Sequence, residues 1–196
     1  VIEMGHRMGI TSDIPEVPSI ALGAADLPLL EMVSAYSSFA NLGKAVKPVY
    51  LLKIEDWQGN ILWERDIVEP LDSALNYETS RVMVQLMKGV VERGTGRSLR
   101  TVFGLKSDLA GKTGTTQDNA DGWFIGYNPA LVAGAWVGAD NPGIHFRTTG
   151  LGGGSHTGLP IFALFFQKIE QDPHYNSISR AQFPPLSDEL LARLDC

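Results

Sequence analysis

Cysteine occurs once, as Cys196, the last of 196 residues. No internal disulfide can form, which suits a reducing compartment and an exported protein without disulfides equally. Histidine is sparse too: His6, His145, His156 and His174 share no ligand spacing, so no metal site is expected. No apolar run reaches the roughly 18 residues a spanning helix requires. Basic residues form no cluster in a chain of net charge -6, which argues against nucleic acid as a partner. Two nucleotide loops are absent. Gly111-Lys112-Thr113 imitates the end of a phosphate loop, but Lys106 stands where its first glycine must be. In Gly150-Leu151-Gly152-Gly153-Gly154-Ser155, the serine occupies the third glycine position of the dinucleotide fingerprint. No cofactor is expected. The chain opens at Val1 without an initiator methionine or a signal sequence, and we read it as a piece of a longer protein.

What is present is the composition of a globular domain, 44% hydrophobic and 19% charged. Val1 to Gly9 reads as a short helix, and Ile10 to Ala25 as a loop punctuated by Pro15, Pro18 and Gly23. Leu29, Met32, Val33, Tyr36, Phe39 and Ala40 recur on one face of a 3.6-residue period, with Asp26 or Leu27-Pro28 at the start and Gly43 as the stop. Val49 to Glu55 and Asn60 to Glu64 read as a hairpin turning at Asp56-Trp57-Gln58-Gly59 and covered by Trp57 and Trp63. A helix from Asn76 to Arg93 presents Val82, Met83, Leu86, Met87, Val90 and Val91 on one side, with the methionines as core filler. Gly94-Thr95-Gly96 opens a loop leading to a strand at Lys112, followed by strands near Trp123 to Tyr127 and Leu131 to Val137. Pro142 to Ser155 is a glycine-rich connection. Leu159 to Gln171 is a last helix, with Ile161, Phe162, Leu164, Phe165, Phe166 and Ile169 apolar. A proline-bearing tail follows, with a short turn at Leu186 to Leu194. This order, without repeats, predicts an α+β fold: an antiparallel sheet flanked by helices.

The stretch around which the rest is organised is Ala110-Gly111-Lys112-Thr113-Gly114-Thr115-Thr116. Lysine supplies charge, threonines supply donors, and glycine lets a ligand approach a strand edge; together they suit a grip on a carboxylate. The bland alternative is a polar hairpin with one solvated lysine. Lys-Thr-Gly is also a signature element of β-lactamases and penicillin-binding proteins.

Further stretches carry that resemblance. Pro18-Ser19-Ile20-Ala21-Leu22-Gly23, Glu31 to Asn41 (EMVSAYSSFAN), Gly94-Thr95-Gly96, Ala110 to Thr116, Asp121-Gly122-Trp123-Phe124-Ile125-Gly126-Tyr127 and Trp136-Val137-Gly138 occur in one order. In them the chain resembles the C-terminal part of the transpeptidase domain of class A, bifunctional penicillin-binding proteins. The resemblance implies a β-lactamase/transpeptidase-like fold, here its C-terminal portion over residues 1–172 with a tail at 173–196. It also implies an acyl-enzyme that crosslinks cell-wall stem peptides ending in D-Ala-D-Ala and is trapped by β-lactams. Carried over by motif, Lys112 and Thr115 have catalytic roles, Lys112 through its charge and Thr115 through half of an oxyanion hole. Lys112, Thr113, Gly114, Thr115 and Thr116 bind substrate. Trp123 packs behind the hairpin, and Gly152 to Ser155 either lines the cleft or is a mobile surface loop. The parent would add a glycosyltransferase domain and an upstream anchor, and would work on the outer face of the cytoplasmic membrane. Two rivals share the motif: a D,D-carboxypeptidase or β-lactamase that hands the acyl group to water, and a non-catalytic penicillin-recognising sensor or scaffold.

One departure is large. No Ser-x-x-Lys and no Ser-x-Asn occurs anywhere in the chain, so the nucleophile, its activating lysine and the middle motif are missing. The isolated 196-residue chain is therefore expected to take up no covalent label from penicillin. Stoichiometric acylation seen by intact mass would refute this.

Overall fold

The structure, a computed structural model, describes residues 1–66, 73–141, 143–192 and 194. Cys196, and Pro142 at the start of the glycine-rich connection, lie outside the described residues. In chain order come α1 (Ile2–Arg7), α2 (Leu29–Ala40), β1 (Lys53–Glu55), β2 (Ile61–Glu64), α3 (Tyr77–Glu92) and α4 (Ser98–Thr101). Then follow β3 (Ala110–Thr115), β4 (Asp121–Tyr127), β5 (Val132–Gly138), α5 (Thr149–Gly152), α6 (Gly158–Gln171), α7 (Asn176–Ser179) and α8 (Asp188–Ala192). The expected α+β architecture is what forms: an antiparallel sheet ordered β3-β4-β5, with helices on both faces.

Glycine in the sheet lets those helices approach closely. A Cβ on Gly134 would meet Val33 and Leu29 of α2, while one on Gly126 would meet the Phe162 ring of α6. Cross-strand partners share a face, so Gly126 and Gly134, one residue out of step in the β4–β5 register, look to opposite sides. One core lies on the α2 side, with Phe39, Val84, Met87, Tyr127 and Phe183. The other lies on the α6 side, with Val91, Leu99, Phe124, Leu159, Phe162 and Phe166. α3 contributes to both. Burial pushes the Tyr127 phenol far above its ordinary range, with Tyr36 beside it adding to the shift. Its hydroxyl donates to Met87 Sδ at 3.7 Å, which makes it a core group.

Several expectations are corrected. In α2 the deepest residues are Ser34, Ala35, Ser38 and Phe39; the stripe read from periodicity is otherwise half-buried. The reason is that α2 is covered on a second side: Ser34 Oγ donates to Val46 O at 2.7 Å, and Ser80 Oγ of α3 donates to Phe39 O at 3.2 Å. In α3 the buried line is Ser80, Arg81, Val84, Met87 and Val91, whereas Leu86 is 53% exposed. Asn76 caps α3 as expected, its side chain accepting from Thr79 N at 2.7 Å. The first hairpin is shorter than read, and every residue of β1 and β2 is exposed. Trp57 is 90% exposed and Trp63 also lies open, so neither covers it. The turn holds itself together instead: the Asp56 carboxylate accepts from Gln58 N and Asn60 N, an Asx-type closure. In α6, Ile161, Leu164 and Phe165 face outward. The glycine-rich connection contains α5, and the turn at Leu186 to Leu194 contains α8.

The segment after Asp172 is tied to the sheet. Asn128 Nδ2 donates to Ile178 O at 2.7 Å, and Phe183 N donates to Asp108 Oδ2 at 2.9 Å. The Phe183 ring lies edge-on to Tyr127 at 5.8 Å, and Lys88, paired with Asp108, sits over it. Phe183→Ala is expected to cost about 3 kcal/mol of unfolding free energy; a denaturant titration showing less than about 1 kcal/mol would mean the ring adds little to the core.

Candidate functional site

β3 pairs with β4 from Ala110↔Tyr127 to Thr115↔Gly122, and it has no second strand among the described residues. Strand alternation places Lys112 and Gly114 on the face of Trp123 and Ile125, and Thr113 and Thr115 on the face of Gly122 and Phe124. The backbone alternates as well. Thr116 N donates to Asp121 O at 3.2 Å, so the antiparallel ladder turns the Gly114 and Lys112 amides inward and those of Thr115 and Thr113 toward the open edge. Lys112 is exposed and folds onto that edge, its Nζ donating to Thr113 O at 2.9 Å.

Both threonine hydroxyls are held from outside the strand. Thr95 Oγ1 and Thr113 Oγ1 are 2.7 Å apart. Thr95 reaches this position because the turn wraps tightly on the end of α3: Gly94 N and Gly96 N both bond Val90 O, and a Cβ on Gly94 would press on the Val90 Cα at 2.9 Å. On the other side, Gly154 N donates to Thr115 Oγ1 at 3.0 Å. An N–H can only donate, so this bond occupies a Thr115 lone pair and leaves its O–H to donate elsewhere. The Gly152 to Ser155 loop is thus packed across β3 and β4, with Gly152, Gly153 and Gly154 buried.

The entry to β3 is pinned by charge. Arg100 bonds Glu92 at 2.7 Å and donates to the carbonyls of Leu105 and Ser107. Glu170 of α6 accepts from Lys106 N, Ser107 N and Ser107 Oγ. The exit is closed by Thr116, whose hydroxyl donates to Asp121 Oδ2 and accepts from Asp121 N; this hydroxyl is engaged within the hairpin. Trp123 packs against Trp136, whose Nε1 donates to Asp121 Oδ1 at 2.8 Å. Among the described residues, no three metal-ligating side chains converge.

The structure therefore brings Lys112, Thr113, Gly114 and Thr115 together on one accessible edge and turns Thr116 into the hairpin. Sequence reasoning treated Thr95 only as part of a loop. The signal available was a threonine held between two glycines, which marks a close backbone approach. An edge of this kind can hold an anion between two hydroxyl donors and present a free N–H beside it.

The Gly154 contact is testable. A Cβ there would collide with the carbonyl oxygens of Trp123 and Gly114. Gly154→Ala is expected to displace the loop, loosening the β3–β4 ladder so that the inward Gly114 amide exchanges faster, and lowering stability by about 2 kcal/mol. Unchanged exchange at Gly114 would show that the loop does not brace this part of β3.

Comparison with known proteins agrees with this fold. A family model described as penicillin binding protein transpeptidase domain matches residues 18–143, an interval that contains all six stretches quoted from the sequence. Among curated relatives, penicillin-binding protein 1A of Aquifex aeolicus is 38% identical over 172 residues, covering 86% of this chain and 22% of that protein. The protein of the same name from Neisseria flavescens is 37% identical, covering 77% of this chain and 19% of its own length. This chain spans about a fifth of these relatives. Among solved structures, penicillin-binding protein 1A from Haemophilus influenzae superposes with a TM-score of 0.78 at 21% identity, covering 93% of this chain and 31% of that one. The PonA1 protein of Mycobacterium tuberculosis, in complex with penicillin V, does so with a TM-score of 0.66 at 25% identity, covering 95% and 52%. The sheet and its flanking helices are thus those of a known fold, and the chain belongs to the penicillin-binding protein transpeptidase domain family.

Proposed function

We propose that this chain is the carboxylate-recognition half of a serine D,D-transpeptidase site that crosslinks peptidoglycan stem peptides ending in D-Ala-D-Ala and is acylated by β-lactams. The observation that carries the reading is the β3 edge. The Thr113 and Thr115 hydroxyls lie on one face, the Thr115 N–H points to the open side, and Lys112 adds a cation.

In this reading the terminal carboxylate of the donor peptide accepts from the Thr113 and Thr115 hydroxyls. Lys112 stabilises that charge and the hydrogen-bond network around the nucleophile. The Thr115 N–H donates to the carbonyl oxygen as negative charge develops there, and the nucleophile's own N–H completes the hole. Gly114, without a side chain, leaves the edge open. The serine and its activating lysine come from a segment outside these 196 residues, since no Ser-x-x-Lys lies within them and the curated relatives are several times longer. The parent also carries the glycosyltransferase domain and the membrane anchor, and works on the outer face of the cytoplasmic membrane. No helix among the described residues is long and apolar enough to cross a membrane.

The test uses the full-length protein and fluorescent penicillin. Labelling is expected in the full-length protein, and the Thr113→Val/Thr115→Val pair should slow acylation roughly 10- to 100-fold, as loss of hydrogen bonds to a charged group does. Absence of labelling in folded full-length protein would sink the catalytic reading and leave the sensor. Labelling with release to water and no crosslinked product would favour the hydrolase.

A further inference from the structure

A groove of about 430 Å³ opens between the turn after α3 and the segment that follows Gly154. One wall is the turn with Thr95 and Arg97, and the other carries Ser155 and His156. Phe103 and Pro160 supply apolar surface. Each wall is joined to one threonine of the handle: Thr95 to Thr113, and Gly154, next to Ser155, to Thr115. The groove is therefore a continuation of the site. Among the described residues, no acidic side chain lines it and the Arg97 guanidinium has no carboxylate partner. Its neighbour Arg100, by contrast, is fully engaged with Glu92 and two carbonyls. Thr95 also bears on the handle itself. If Thr113 is to donate to a carboxylate, its oxygen is free to accept from Thr95, a two-hydroxyl relay directed at the anion.

We propose that this groove is a second anion subsite, in which Arg97 reads a further carboxylate on the acceptor amine. The proposal rests on the transpeptidase reading above. An acceptor must replace the departing D-alanine, so an acceptor amino acid with a D-centre can place its own α-carboxylate in the Thr113–Thr115 handle. Its side chain then points along the walls that leave the handle, toward Arg97. The amine nitrogen attacks the acyl-serine carbonyl, the C–N bond forms and the C–O bond to serine breaks. The proton lost by the amine ends on the serine oxygen. Nothing else is consumed. Arg97 takes no part in these bond changes; it is a specificity residue.

D-Glutamate and D-glutamine have nearly the same shape and differ by one charge, which makes them the probes. One portion of the full-length protein is tested for labelling by penicillin; a second portion, never exposed to penicillin, is given a stem-peptide thioester donor with each acceptor, and the aminolysis products are quantified by mass spectrometry. D-Glutamate is expected to be preferred about fivefold, the range of a partly exposed ion pair, with the preference weakening as salt rises. In Arg97→Gln the ratio should fall to near one, and Arg97→Lys, which keeps the charge, should retain part of it. A protein that fails to label overturns the transpeptidase reading and this proposal with it. A protein that labels and aminolyses but shows a ratio near one, or one unchanged in Arg97→Gln, overturns the subsite alone.

Discussion

The antiparallel ladder between β3 and β4 is the constraint on which the rest depends. It fixes the inward and outward alternation of the β3 amides, and so decides that Thr113 and Thr115, and not Lys112 and Gly114, turn their backbone toward the free edge. The ladder is crowded by design of the sequence. A Cβ on Gly111 would meet Ile125 O at 2.8 Å and the Phe124 ring at 2.9 Å, and one on Gly158 would meet Phe124 N at 2.7 Å. Glycine at these places lets backbone lie on backbone, which lets α6 approach the sheet closely and brings the Gly154 amide within reach of Thr115.

The two cores then clamp that ladder from either side. Phe124 packs against Phe162 at 5.0 Å on one face, and Tyr127 stacks with Phe39 at 6.4 Å on the other. These residues alternate along β4, so a single strand carries both cores. α3 is the third support: Met87 joins one core and Val91 the other, while its C-terminal end receives the turn that carries Thr95. Stability and site geometry share the same parts. The hydroxyl positions rest on packing that was laid down by buried aromatic and aliphatic side chains some way from any ligand.

Polar interactions add direction. Glu170, on α6, gathers three donors from the loop before β3, and Arg100 ties that loop to α3. These bonds decide where β3 begins and hence its register. At the β3 edge, the Gly154 amide takes a lone pair of Thr115 Oγ1 and leaves its hydroxyl hydrogen free to donate. A site assembled this way presents hydrogens to an anion before it arrives, which is the condition under which electrostatic stabilisation is most effective.

Much of this was legible in the sequence for identifiable reasons. The α2, α3 and α6 helices repeat their apolar residues at helical spacing, Asn76 is a recognisable cap, and the β3–β4 hairpin has polar, turn-forming residues ahead of the apolar β4. Lys112, Thr113, Gly114 and Thr115 are adjacent in the chain, so a strand edge was enough to bring them together. Other features depend on partners remote in sequence and were decided only by the tertiary structure. Whether Leu86 or Val84 is buried depends on where α2 and the sheet lie. Trp57 and Trp63 have the composition of a cover but no layer to cover. Phe183 completes a core from far along the chain, and Thr95 meets Thr113 only because the end of α3 stops beside β3. Local periodicity and motif set the elements and the chemistry of the handle. The packing of helices on a glycine-rich sheet set which hydroxyls are held, which way they point, and which groove opens beyond them.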